Sequence, residues 1–443
     1  MINAHDVDWS AGHLPGQVCG VPGRLADLRS TDPLVRREAF EDFCAEAFLE
    51  GTVDPCTAAS LPFLFDLADA PATPDRAEIV GLLFRIGREA RRHDPGDVYW
   101  TVHGVESRAH VDINAEMPGR VDAFARYTTD ADPLVRRPAI QAVGLFSTDG
   151  ERATRLLAER LPAETGIAEQ LLVVRTMASL ADRLPETGHA VTAWLDDVVD
   201  GPARPHIGAP VRLAALAHRF LRDPGHDTAA DTVSRALTLL RESTRLPTAE
   251  KQCDGCRRCR PTCCGRHDDF TVRPAHLAAE FFDPDHLWEE HSPISSALRT
   301  LHTALGDCVP ERTDLLVAQL SSHDTATRYD AIAMAEDLPG PLPRPVLAGL
   351  LALLPDDWAA SRMLVGGFGT STGRFEVAPE DTALLTGALA DHLAMLRVAH
   401  GPGVEASGNP LVRGSYQDAV VALADHRNPR ARPEPMYGTE PPY

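Results

Sequence analysis

Asp32-Pro33-Leu34-Val35-Arg36-Arg37, with Ala39 behind it, recurs letter for letter as Asp132-Pro133-Leu134-Val135-Arg136-Arg137 with Ala139. Each residue type in the string has a reason to stand at the start of a helix. An Asp at the N-cap accepts a free backbone N–H, and a Pro at the first helical position gives up an N–H that would have no partner. Apolar residues follow at helical spacing. The string therefore predicts helices opening at Pro33 and Pro133, the second burying Leu134, Val135, Ala139, Ile140, Ala142 and Val143.

Looser copies extend the pattern. They are Arg76 before Ile79-Val80, Val174-Arg175 with Ala178 and Leu180, and Pro210-Val211-Arg212 with Ala214, Ala215 and Leu216. Thr327-Arg328 with Ala331 and Ile332, and Val412-Arg413 with Ala419 and Val420, continue it. Arg36, Arg76, Arg136, Arg175 and Arg212 are 40, 60, 39 and 37 residues apart. The long step reads as one period plus an inserted, non-helical loop at 93–116, carrying Tyr99, Trp100, His103 and His110. A loop with aromatics is either a binding element or a local structure packing Trp100 against the edge of the fold.

A period near 40 built of two helices, with Asp, Val-Arg and small alanines, resembles HEAT repeats over residues 24–241 and 293–426. The resemblance implies an all-α fold, an α-solenoid of about nine or ten stacked helix pairs with a Cys-rich inserted loop. It also implies that Asp32, Arg36, Asp132, Arg136 and Arg212 belong to a polar ladder between repeats, a structural role. Residues 1–23 would be an N-terminal segment, 242–292 a Cys-rich insertion with an acidic connector, and 427–443 a Pro-rich disordered tail.

That tail, from Asn428 to Tyr443, contains five prolines. The chain as a whole has 443 residues, 44% of them hydrophobic, enough to bury a core. Its formal net charge is -21, which repels phosphate backbones unless positive charge is gathered on one face, so nucleic acid is disfavoured as a partner. The longest strongly apolar run, Val346 to Leu354, stops at Pro355, far short of the roughly 20 residues of a membrane span. Met1 to Gly16 lacks the basic start and apolar stretch of a secretory signal, and the expected location is the cytoplasm.

Five of the nine cysteines crowd into Cys253-Asp-Gly-Cys256-Arg-Arg-Cys259-Arg-Pro-Thr-Cys263-Cys264. A C-x2-C turn aims two thiolates the same way, and four sulfurs close a tetrahedral zinc site. Zinc bound by four of Cys253, Cys256, Cys259, Cys263 and Cys264 is the favoured reading, with His267 as a substitute ligand. Arg257, Arg258, Arg260 and Arg266 would favour thiolates and offset their charge. Cys253, Cys256, Cys259 and Cys263 also match the C-x2-C-x2-C-x3-C spacing of an iron–sulfur run, but Cys264 stands where proline usually follows and there is no second run. Redox-active thiols are the remaining alternative. Cys19, Cys44, Cys56 and Cys308 are scattered and suggest no disulfide framework.

Enzyme signatures fail. His286-Leu-Trp-Glu289-Glu290-His291 fits neither zinc-protease helix motif, and Gly366 to Gly373 lacks the Gly-Lys-Ser/Thr ending of a phosphate loop. No residue is assigned a catalytic role. The expected function is a protein-binding scaffold with a zinc-stapled insertion. A redox- or iron-responsive regulator acting through the cysteines is the first alternative. A HEAT-like DNA-repair glycosylase is the second, and it requires that Arg85, Arg88, Arg91, Arg92, Arg126, Arg155 and Arg160 converge on one cationic face.

Overall fold

A computed structural model describes residues 7, 9, 19–48, 52–100, 105–201, 207–225, 227–243, 293–322, 325–355, 364–365, 367–368, 374–401, 403–404 and 410–427. The protein is all-α. Among the described residues the only sheet is one two-stranded hairpin, and no helix is long and apolar enough to cross a membrane. The cysteine run, the His286–His291 segment, most of Gly366–Gly373 and the Pro-rich tail lie outside the described residues.

The described chain divides into two compact units, one running to Ala215 and one from Leu216 onward. The first contains α1 (Val21–Asp27), α2 (Pro33–Ala47), α3 (Pro55–Asp69), α4 (Arg76–Ala90), β1 (Tyr99–Trp100), β2 (Glu106–Ser107), α5 (Ala109–Glu116) and α6 (Val121–Tyr127). It continues with α7 (Pro133–Phe146), α8 (Gly150–Arg160), α9 (Ile167–Arg183) and α10 (Gly188–Asp200), and ends within α11 (Ala209–Arg222).

The repeated string opens α2 and α7 in the same way. Asp32 and Asp132 are both extended N-caps, and each accepts the N–H two residues on, from Leu34 and Leu134, at 2.9 Å. The buried stripe of α7 is Val135, Ala139, Ile140, Ala142, Val143 and Phe146. Leu134 is only half-buried, and its counterpart Leu34 is 74% exposed. Leu34 and Leu134 themselves carry the capped N–H, and at about 100° of turn per residue the helix aims their side chains off the core face.

Within this unit α3 packs on α4, α6 on α7 and α8 on α9, while α4 also packs on α7 and α7 on α9. Two glycines let the helices approach. A Cβ on Gly87 would lie 2.5 Å from the Phe146 ring, and one on Gly144 would lie 2.3 Å from Thr176 Cγ2. Arg183 closes the end of α7 by donating to the carbonyls of Gly144 and Ser147, satisfying acceptors that a helix terminus leaves free.

The expected insertion at 93–116 is not loop throughout. Tyr99 and Trp100 pair antiparallel with Ser107 and Glu106, and α5 follows directly. Trp100 does not pack down as a loop anchor would, being 67% exposed.

The second unit comprises the rest of α11, α12 (Ala229–Ser243), α13 (Pro293–Leu305), α14 (Val309–Leu320), α15 (Thr325–Glu336), α16 (Arg344–Ala352), α17 (Thr382–His400) and α18 (Pro410–Arg427). Its core joins Leu316, Ile332, Leu347, Leu350, Phe368, Leu389, Leu396 and Leu423. Arg397 donates to the Tyr416 hydroxyl at 2.7 Å, tying α17 to α18. Ala331, Ile332 and Ala419 are buried as the repeat pattern expects, but Val420 is 41% exposed. One residue beyond Ala419, it has turned to the outer face of α18.

Candidate functional site

Three of the marker arginines, Arg36, Arg136 and Arg328, share one local bond, while Arg212, also fourth in its helix, reaches the Val199 carbonyl at 3.0 Å instead. Arg36 donates to the carbonyl of Ser30 and Arg136 to that of Asp130, each six residues back. In the second unit Arg312 reaches Gly306 and Arg328 reaches Ser322 across the same interval. Each of these arginines is the fourth residue of its helix, where a long donor folds back over the N-terminus and fixes the chain entering it. In α9 the fourth residue is Gln170, whose amide donates to the Glu164 carbonyl at 2.8 Å. Arg175, which the sequence pattern marks, lies in the middle of that helix instead. In α9 glutamine supplies the long donor without resembling the motif, whereas α3, α4, α8, α10, α16 and α17 carry apolar residues at that position.

Arg36, Arg76 and Arg136 also carry ion pairs forward along the chain. Arg36 pairs with Asp75 at 2.6 Å, the residue capping α4, and Arg76 pairs with Asp130, ahead of α7. Arg136 grips Glu164, ahead of α9, with Nε–Oε1 at 3.0 Å and Nη2–Oε2 at 2.8 Å, and Arg160 adds a bond at 2.7 Å. The Glu164 side chain is fully buried within this two-arginine cradle. Bonding to Glu164, against some loss from burial, raises the Arg136 pKa above the ordinary guanidinium value.

Four of the seven arginines named for a nucleic-acid face pair with carboxylates. Arg92 pairs with Glu89 at 3.0 Å, Arg126 with Asp69 at 2.9 Å, Arg155 with Glu151 at 4.0 Å and Arg160 with Glu164. Arg85 is buried and lies over the Phe48 ring, while Arg88 lies over Phe84. Burial lowers the pKa of Arg91.

The hairpin and α5 build a small aromatic cluster. The His93 ring stacks on Tyr99 at 4.9 Å and lies 5.5 Å from His110, which is 5.6 Å from Tyr99. His110 Nε2 bonds the Asp94 carbonyl at 2.9 Å, and the Tyr99 hydroxyl donates to the Val53 carbonyl. Burial pushes the Tyr99 phenol up to about 12. These bonds anchor the base of the hairpin, leaving Trp100 and the 44% exposed Val98 on its outside. His103 lies outside the described residues.

Among the described residues, no group of three or more His, Cys, Asp or Glu side chains is placed to hold a metal ion. Cys253, Cys256, Cys259, Cys263 and Cys264 are not among them, so the fold does not bear on their ligation. One pair of cysteines went unread in the sequence: the Sγ atoms of Cys19 and Cys56 lie 3.5 Å apart. They are 37 positions apart and share no motif, so only folding brings them together. No protein-family model matches the chain, and a search of curated proteins returns no match.

Proposed function

We propose that the chain is a non-enzymatic protein-binding scaffold built of HEAT-like helix pairs, in which the Cys253–Cys264 run holds a zinc ion as a structural staple. The observation that carries this reading is the recurrent fourth-residue donor, bonded six residues back and, in Arg36 and Arg136, paired with an acid ahead of the next helix of its kind. Such a chain of bonds suits repeats that each complete their neighbour's core. The α4–α7–α9 packing is compatible with the same arrangement.

Four thiolates would close a tetrahedral site, leaving no open position for catalysis. The excess of acidic side chains favours a basic or neutral protein partner in the cytoplasm. The glycosylase reading is weakened because four of its seven arginines already face carboxylates. Trp100, held out on an anchored hairpin, is an exposed aromatic of the kind that dominates protein interfaces.

The test is affinity capture on the immobilised full chain from nuclease-treated extract of its source, with wild type beside Trp100→Ala. The expected result is a protein retained in near-stoichiometric amount, with affinity lowered about 30-fold by Trp100→Ala. Retention of nucleic acid alone, or of no macromolecule, would overturn the reading.

A further inference from the structure

Cys56 is the second residue of α3, and 3% of its surface is exposed; Cys19 is half-buried just before α1. Their Sγ atoms, 3.5 Å apart, are in direct contact at hydrogen-bonding distance. A rotation about the side chains closing about 1.5 Å would bring them to the roughly 2.05 Å of a disulfide. The neighbourhood also divides the two thiols by role. The hydrogen bond shared with Cys56 holds the Cys19 thiol below its ordinary value, outweighing burial and the nearby Glu46 carboxylate, which act against it. The bond to Cys19 and burial push the Cys56 thiol up. Glu46 is itself engaged by the Gly20 N–H at 2.6 Å. Cys19 is the more accessible sulfur, and the shielded Cys56, whose thiol also approaches the Trp9 carbonyl at 3.6 Å, stands behind it.

We propose that Cys19 and Cys56 form a reversible redox modification site, in which Cys19 reacts with a hydroperoxide and Cys56 resolves the product to a disulfide. The Cys19 thiolate attacks one peroxide oxygen; an S–O bond forms, the O–O bond breaks, and the departing alkoxide takes a proton to leave as an alcohol, or as water from hydrogen peroxide. The Cys56 sulfur then attacks the sulfenic sulfur. The S–S bond forms, the S–O bond breaks, and hydroxide leaves as water with the Cys56 proton. Two electrons pass from the thiol pair to the peroxide, and an external dithiol returns them. The bond would join the chain entering α1 to the first turn of α3, closing a loop that contains α1 and α2. This site is independent of the Cys253–Cys264 run and does not rest on the scaffold reading.

The experiment treats the reduced full-length protein with one equivalent of hydrogen peroxide, blocks remaining thiols, and maps non-reduced peptides by mass spectrometry. Trypsin with a glutamate-specific protease cuts between Cys44 and Cys56, so their linkages are distinguishable. The expected product is a Cys19–Cys56 cross-linked peptide that dithiothreitol abolishes and that Cys56→Ser replaces with a Cys19 sulfenic acid trappable by dimedone. The oxidised protein should also melt about 5–10 °C higher than the reduced one, a difference absent in Cys19→Ser. Cys19 left as a free thiol or over-oxidised without the Cys56 link in the wild type, or linked instead to Cys44 or the Cys253–Cys264 run, would overturn the proposal.

Discussion

Glu164 shows how the fold uses charge at the scale of one residue. Its buried carboxylate accepts from Arg136 and Arg160, and removing it would strand two guanidinium groups that are only 13% and 14% exposed. Glu164→Ala is expected to destabilise the N-terminal unit by about 3–5 kcal/mol, with Glu164→Gln less damaging because it keeps an acceptor in place. Urea denaturation followed by far-UV circular dichroism checks this, and a loss below about 0.5 kcal/mol would reduce the cradle to a surface pair. The sequence announced Arg136 through its repeated string but not its partner. A glutamate 28 positions downstream has no local signature, and only the packing of α7 against α9 brings it near. Gln170 escaped for the opposite reason: its role is local, but the pattern was read through arginine.

At the scale of the helix, His302 on α13 meets Gln319 on α14, with His302 Nε2 accepting from the Gln319 amide at 2.9 Å. Burial, assisted by Arg312, pulls the His302 imidazole down to about 3 from its ordinary 6.5. Its folded-state pKa is therefore depressed. Below about pH 6.5 the unfolded chain takes up a proton that the folded unit refuses, so stability present above that pH drains away as pH falls toward 3. The slope is about 1.4 kcal/mol per pH unit over that window. Calorimetric melting of wild type and His302→Gln between pH 7 and pH 4 should show the wild type losing stability more steeply; parallel curves would contradict the assignment. Helix starts such as Pro33 and Pro133 were legible because caps act within a few residues. The hairpin was not, because its strands are two residues each and carry no alternating run long enough to read.

For the whole molecule, the all-α class follows from apolar spacing and capping signals spread along the chain, and composition alone sets its acidic surface. The candidate site divided differently. The cysteine run is conspicuous in sequence because its members are neighbours, whereas Cys19 and Cys56 become a pair only on folding. The central claim is that this chain is a zinc-stapled scaffold for another protein, and native mass spectrometry of the complex isolated from its source addresses both halves together. The account predicts a species containing one chain, about one zinc ion lost in Cys256→Ser and Cys259→Ser, and a protein partner. A metal-free chain alone, or a chain carrying nucleic acid in place of protein, would contradict it.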